Sequence, residues 1–85
     1  MNNEKKYLDE LISEFLKIKD RKIMENFLSG LLTDSELAEV PRRVQIVKML
    51  KKGTPQQQIA KKLGVGIATV TRGSTEIKKG RFKYV

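Results

Sequence analysis

Eighty-five residues carrying a formal net charge of +8 are enough for one small domain, expected to span 1–85, and exclude two. The absence of Cys removes any disulfide framework or thiolate zinc site, and the absence of His removes the usual general base and the commonest transition-metal ligand, so no metal and no enzyme is expected. The longest apolar runs are a few residues and the opening Met1-Asn2-Asn3-Glu4-Lys5-Lys6 is polar, so neither a membrane span nor secretion is expected, and the cytoplasm is the expected compartment.

A single core of this size buries only about 60–65% of the surface its unfolded chain exposes, which makes a second copy of the chain the first partner to expect. The charge points to another. Residues 1–40 hold six Lys or Arg and nine Asp or Glu, whereas residues 41–85 hold twelve Lys or Arg against the single acid Glu76. A half-chain of net +11 repels itself until a polyanion neutralises it, so nucleic acid is expected ahead of an anionic membrane, with a merely solvated basic face as the plain reading.

From Tyr7 to Ile18 the residues Leu8, Leu11, Ile12, Phe15 and Leu16 fall on one side of a first helix. Ile23, Met24, Phe27, Leu28, Leu31 and Leu32 repeat that rhythm after Lys19-Asp20-Arg21-Lys22, with Asp20 as N-cap of a second. Such wide aliphatic stripes serve as core or as a dimer seam.

Thr33-Asp34-Ser35-Glu36 reads as a capping box opening a third helix, which carries Leu37, Val40, Val44, Val47 and Leu50 inward and ends at Lys51-Lys52-Gly53. Pro41 lacks the N–H that would bond back to Leu37, which predicts a kink or a split into helices near 34–39 and 42–51. Thr54 as N-cap, Pro55 at the first position and Gln57 at the third predict a fourth helix over Pro55–Leu63, stopped by Gly64. A fifth is expected over Ile67–Lys79, followed by a tail over 80–85. The chain divides on this reading into a helical dimerisation core (1–53), a reading head (54–79) and the tail.

The spacing from Gln56 to Thr75 is that of a helix-turn-helix. Ala60 is small where the second helix crosses, Gly64 permits the turn, and Ile59, Leu63, Val65 and Val70 fill the wedge. An ordinary helical hairpin shares some of these features, but the basic half-chain favours a head whose second helix enters a major groove by its N-terminal end. Ile67, Ala68, Thr69, Thr71 and Arg72 face outward on that helix, and Lys78 is the basic residue near its end. Thr hydroxyls suit phosphate or base edges, Ile and Ala suit a thymine methyl, and Gln56 or Gln57 reaches phosphate or an adenine edge.

The run Leu63-Gly64-Val65-Gly66-Ile67-Ala68-Thr69-Val70-Thr71-Arg72-Gly73-Ser74 resembles the reading head of the tryptophan repressor family, and Arg43-Val44-Gln45-Ile46-Val47 is similar to its third-helix segment. The resemblance covers about residues 31–79 and implies an all-α, five-helix, intertwined homodimer that represses transcription at a double-stranded DNA operator. It also implies a corepressor, L-tryptophan, whose indole lies between Arg43 and Arg72. Its carboxylate is held by Arg72 and the Thr33 hydroxyl, its ammonium meets carbonyls such as that of Leu32, and Gly73 lies beside it. A guanidinium both stacks on an aromatic face and pairs with a carboxylate, so those residue types suit the task. Taken alone, Thr33 is a helix cap and Arg43 a solvated side chain.

The chain departs from the family pattern in having Gly30 for a larger apolar residue, Glu76 for a small polar one, and Pro41 in the helix that bears Arg43. Glu76 suits either a ligand ammonium or a helix-surface pair with Lys79 or Arg72. The longer members carry a further helix after the fifth, so part of that seam is expected to be missing or to be replaced by Phe82 and Tyr84. The competing functions are a ligand-independent regulator on the same scaffold and a basic protein that coats nucleic acid without reading it. No Tyr or Phe falls within the head before Phe82, which disfavours single-strand base stacking.

Overall fold

A computed structural model describes residues 3–85, which form five helices and no strand: α1 (Glu4–Lys17), α2 (Arg21–Leu31), α3 (Asp34–Lys51), α4 (Gln56–Leu63) and α5 (Ile67–Lys78). The chain falls into two compact units, one reaching to Leu37 and one over Ala38–Val85.

In the first unit the Asp20 carboxylate accepts from the Ile23 N–H at 3.0 Å, which caps α2 as its sequence predicts. The Phe15 and Phe27 rings meet edge to face with centroids 5.4 Å apart. Neither α1 nor α2 buries a residue fully. Tyr7, Leu8, Ile12, Leu16, Ile23 and Leu31 all stand exposed, Leu16 at 73%. The capping box at the start of α3 is reciprocal: the Glu36 N–H donates to Thr33 Oγ1 at 3.2 Å and the Thr33 N–H to Glu36 Oε1 at 2.9 Å. Replacing Thr33 by Ala removes one of these bonds and is expected to lower stability in urea by about 1 kcal/mol.

The split named as one alternative at Pro41 does not occur: α3 runs unbroken from Asp34 to Lys51 with Pro41 inside it. Proline forfeits one backbone bond, a penalty of about 3 kcal/mol, and the remainder of the helix outweighs it. Its opening turn is capped, and its C-terminal half buries Ile46 and Val47. The predicted inner face of α3 is also corrected. Val40 and Val44 are 39% and 37% exposed, while Ile46 joins Val47 at 1%. The face that packs on the head follows Ile46, Val47 and Leu50, and the strip through Val40 and Val44 lies beside it on the helix surface.

After α3 the chain turns at Gly53, where φ is +87°. Pro55, at φ −60° and ψ 142°, stands outside α4 as its N-cap, with no side-chain cap bond, and its carbonyl accepts from the Gln58 and Ile59 N–H groups. Helix α4 therefore starts one residue later than predicted, and Thr54 is not its cap. Gly64 terminates α4 at φ +66°, a conformation that costs a residue with a Cβ about 1–2 kcal/mol. The Val65 N–H then bonds to the Ala60 carbonyl at 3.0 Å, completing the turn.

Ile46 of α3, Ile59 of α4 and Val70 of α5 form the buried cluster, with Met49, Leu50, Ala60, Leu63 and Val65 packed against it. Gly73 lets α5 approach α3. A Cβ there would lie 3.0 Å from Ile46 Cγ2 and 3.5 Å from Leu50 Cδ1. Gly73→Val adds two further carbons where Ile46 is already enclosed, and urea titration is expected to show a loss of about 1–3 kcal/mol.

Candidate nucleic-acid interface and ligand cavity

The helix-turn-helix formed by α4 and α5 turns its buried residues, Ile59 and Val70, inward and leaves Gln57, Ile67, Ala68, Thr69, Thr71, Arg72 and Lys78 exposed. Ile67, 49% exposed at the first position of α5, is an apolar contact held out to solvent at the end of the helix that a groove would receive. Gln56 is half-buried for a specific reason: the Thr71 hydroxyl donates to its Oε1 at 2.9 Å. With that oxygen engaged, the amide nitrogen remains to donate to a phosphate or a base acceptor, and the Thr71 hydroxyl is left to act as an acceptor. The two residues singled out as separate contacts are thus one unit across the two helices.

Two cavities lie within this second unit. One, of about 380 Å³, has Arg43 and Val47 on its α3 side, Thr69, Arg72 and Glu76 on its α5 side, and Phe82 of the tail at its edge; Gly73 also borders it. The other, of about 300 Å³, lies among Glu39, Arg42 and Arg43 of α3 and Val65 and Thr69 of the head. Arg43 and Thr69 border both. A volume of this order matches a small-molecule site, and the lining of the first mixes apolar carbon with two guanidinium groups and a hydroxyl. The chain thus brings Arg43, Arg72 and Gly73 to one cavity, while Leu32 and Thr33 belong to the other unit.

Glu76 is engaged by its own tail and helix. Its carboxylate is 3.1 Å from Lys79 Nζ and 3.5 Å from Arg81 Nε. The hydrogen bond from Lys79 holds its carboxyl below the usual carboxylate range; partial desolvation opposes this, and the charges of Lys79, Arg81 and Arg72 add to it. A carboxyl with a folded pKa below its unfolded one contributes stability above the unfolded value and loses it as pH falls through the folded one. The Glu76 clasp is therefore expected to weaken below the ordinary carboxylate range. An NMR titration of its side-chain carboxyl should place its midpoint below those of Glu residues outside ion pairs.

Sequence reasoning missed Val47, Phe82, Glu39 and Arg42 as cavity residues. Phe82 follows a helix-ending Gly80 closely enough to fold back, which is the one local signal of its place. Among the described residues no group of three or more His, Cys, Asp or Glu is arranged to hold a metal ion, and no helix is long and apolar enough to cross a membrane.

A basic unit that presents the exposed N-terminal face of α5 beside a guanidinium-lined cavity defines a helix-turn-helix DNA-binding regulator. Residues 6–85 match the family described as Trp repressor protein, and the chain belongs to that family. It is 42% identical over 81 residues to a Trp operon repressor homolog of Vibrio campbellii, an alignment covering 92% of this chain and 81% of that protein. A Trp operon repressor homolog of Chlamydia trachomatis is 38% identical over 63 residues, covering 73% of this chain and 67% of the other. A Bacillus subtilis relative, the uncharacterized protein YerC, is 28% identical over 79 residues, covering 93% and 76%. No solved structure gives a significant match. The chain is accordingly a transcriptional regulator and not an enzyme.

Proposed function

We infer that this regulator is a homodimeric, cytoplasmic repressor that reads a double-stranded DNA operator and is gated by a small aromatic corepressor, L-tryptophan. The observation that carries the gating is the shared border of Arg43 and Arg72 on one cavity, because Arg72 also belongs to the exposed surface of α5. One guanidinium stacks on an aromatic ring while Arg72 pairs with the ligand carboxylate. Gly73 borders the same cavity beside Arg72. A ligand that binds well only when the head is correctly set shifts the population toward the DNA-competent form.

Two copies of α5 then enter successive major grooves, with Ile67, Ala68, Thr69 and Thr71 on base edges and Gln56, Gln57 and Lys78 on phosphates or neighbouring bases. The uncovered apolar residues of α1 and α2 support a second copy as the partner of that unit. Calorimetry with L-tryptophan tests the gating. The parent protein is expected to release heat on binding and Arg43→Ala to bind at least tenfold more weakly, whereas a flat titration of the parent removes the corepressor.

A further inference from the structure

The tail over 80–85 is not a loose end. Gly80, at φ +81°, closes α5 through two backbone bonds, Gly80 N–H to the Ile77 carbonyl at 2.9 Å and Arg81 N–H to the Glu76 carbonyl at 3.1 Å. This pairing reverses the chain after a helix and is open to glycine because the conformation is left-handed. The reversed segment is then pinned at two places. Arg81 reaches the Glu76 carboxylate. From α3, the Lys51 ammonium donates to the Phe82 carbonyl and, at 3.1 Å, to the Val85 carbonyl. Lys51 also sits in the last turn of α3, where a cation is favoured by the helix dipole. Held this way, Phe82 is half-buried at the edge of the cavity bordered by Arg43 and Arg72, whereas Tyr84, two residues on, is 97% exposed.

We propose that residues 80–85 form a strap, fastened by Lys51, that sets the Phe82 ring as one wall of the ligand cavity and makes it the residue that selects the ligand by size. The proposal rests on the corepressor reading above and adds to it where the discrimination comes from. A ring fixed at the cavity edge limits how far an aromatic ligand extends in that direction. When it is cut back, a larger ring gains room and a smaller one loses contacts to a void. Both effects move the preference the same way. Fixing the wall needs Lys51, because the Phe82 backbone is held from α3 by that ammonium.

The test has a binding arm and a ligand-free arm, both on the full chain. Calorimetry compares L-tryptophan with L-phenylalanine on the parent, Phe82→Ala, Phe82→Leu and Lys51→Met. The ratio of affinities is expected to move toward L-tryptophan by about tenfold in Phe82→Ala, by less in Phe82→Leu, and in the same direction in Lys51→Met. Methyl NMR of Ile46 and Val47, which border the same cavity, follows the wall without ligand. Their signals are expected to shift in Phe82→Ala and in Lys51→Met, with faster amide exchange over residues 80–85 in the latter. Methyl signals that stay in place in both variants overturn the strap whatever the calorimetry gives. Shifted methyls with an affinity ratio unchanged within twofold overturn size selection. Shifted methyls with no heat for either amino acid on any of the four proteins overturn selection by removing the corepressor itself, an outcome that the methyl data keep apart from failure of the strap.

Discussion

Replacing Ile12 and Leu16 together by Asp is expected to leave a chain that sediments at its own 9.7 kDa, where the parent sediments at twice that mass. The reason is an imbalance between apolar surface and core. Among the described residues only Ile46, Val47, Ile59 and Val70 are fully buried hydrophobic residues, and all four belong to the second unit. Helices α1 and α2 bury none and leave six large apolar side chains open to water. Covering such a side chain is worth about 1.5–3 kcal/mol, so a second copy over this face contributes on the order of 10 kcal/mol per chain, comparable to the whole stability of a small domain. Two carboxylates in that seam must either stay solvated, which keeps the copies apart, or be buried without partners. Helical content is expected to fall with the mass, since neither α1 nor α2 buries a residue fully within the single chain. A parent protein that sediments as a monomer at micromolar concentration contradicts the dimer outright.

The second large effect lies in the head. Ile59→Ala is expected to destabilise the second unit by about 2–5 kcal/mol and to abolish DNA binding, although Ile59 itself touches no DNA. Ile59 is fully enclosed and contributes to the cluster with Ile46 and Val70, through which α3, α4 and α5 hold one another. Shortening it leaves a void at their meeting point, and the orientation of α5 is what a groove must recognise. Amide exchange should accelerate first across Ala38–Val85, while the Asp20 cap and the Thr33–Glu36 box keep their protection. Equal acceleration in both units, or DNA binding retained at parental strength, contradicts this account of the head.

Much of this was legible in the chain. Caps were readable because they depend on neighbours in sequence: Asp20 and the Thr33–Glu36 pair bond as their types and spacing require. Gly64 was readable because a left-handed turn admits few residues. A split at Pro41 follows only when the loss of one bond is weighed against local terms alone, and burial of Ile46 and Val47 further along the same helix is a tertiary term. Thr54 misled because the chain spends one more residue in extended form before α4. In the site, Arg43 and Arg72 came from resemblance to a family pattern, not from spacing, and the structure places both on one cavity. The place of Phe82 beside the cavity is not legible in the sequence, because nothing local shows that the Lys51 ammonium, thirty-one residues earlier, donates to its carbonyl. The Gln56–Thr71 bond was hidden for the same reason: each is an unremarkable polar residue until two helices cross.

Selection of bound duplexes from a random pool, run at fixed salt with and without L-tryptophan, separates a reading helix on α5 from a basic surface that only coats DNA. With L-tryptophan the pool is expected to converge on a near-palindromic sequence whose half-sites lie about 10 base pairs apart, and without it convergence is expected to be lost. A pool that remains random under both conditions, bound with one affinity and one salt slope, would show a basic protein coating DNA and would contradict a reading helix on α5.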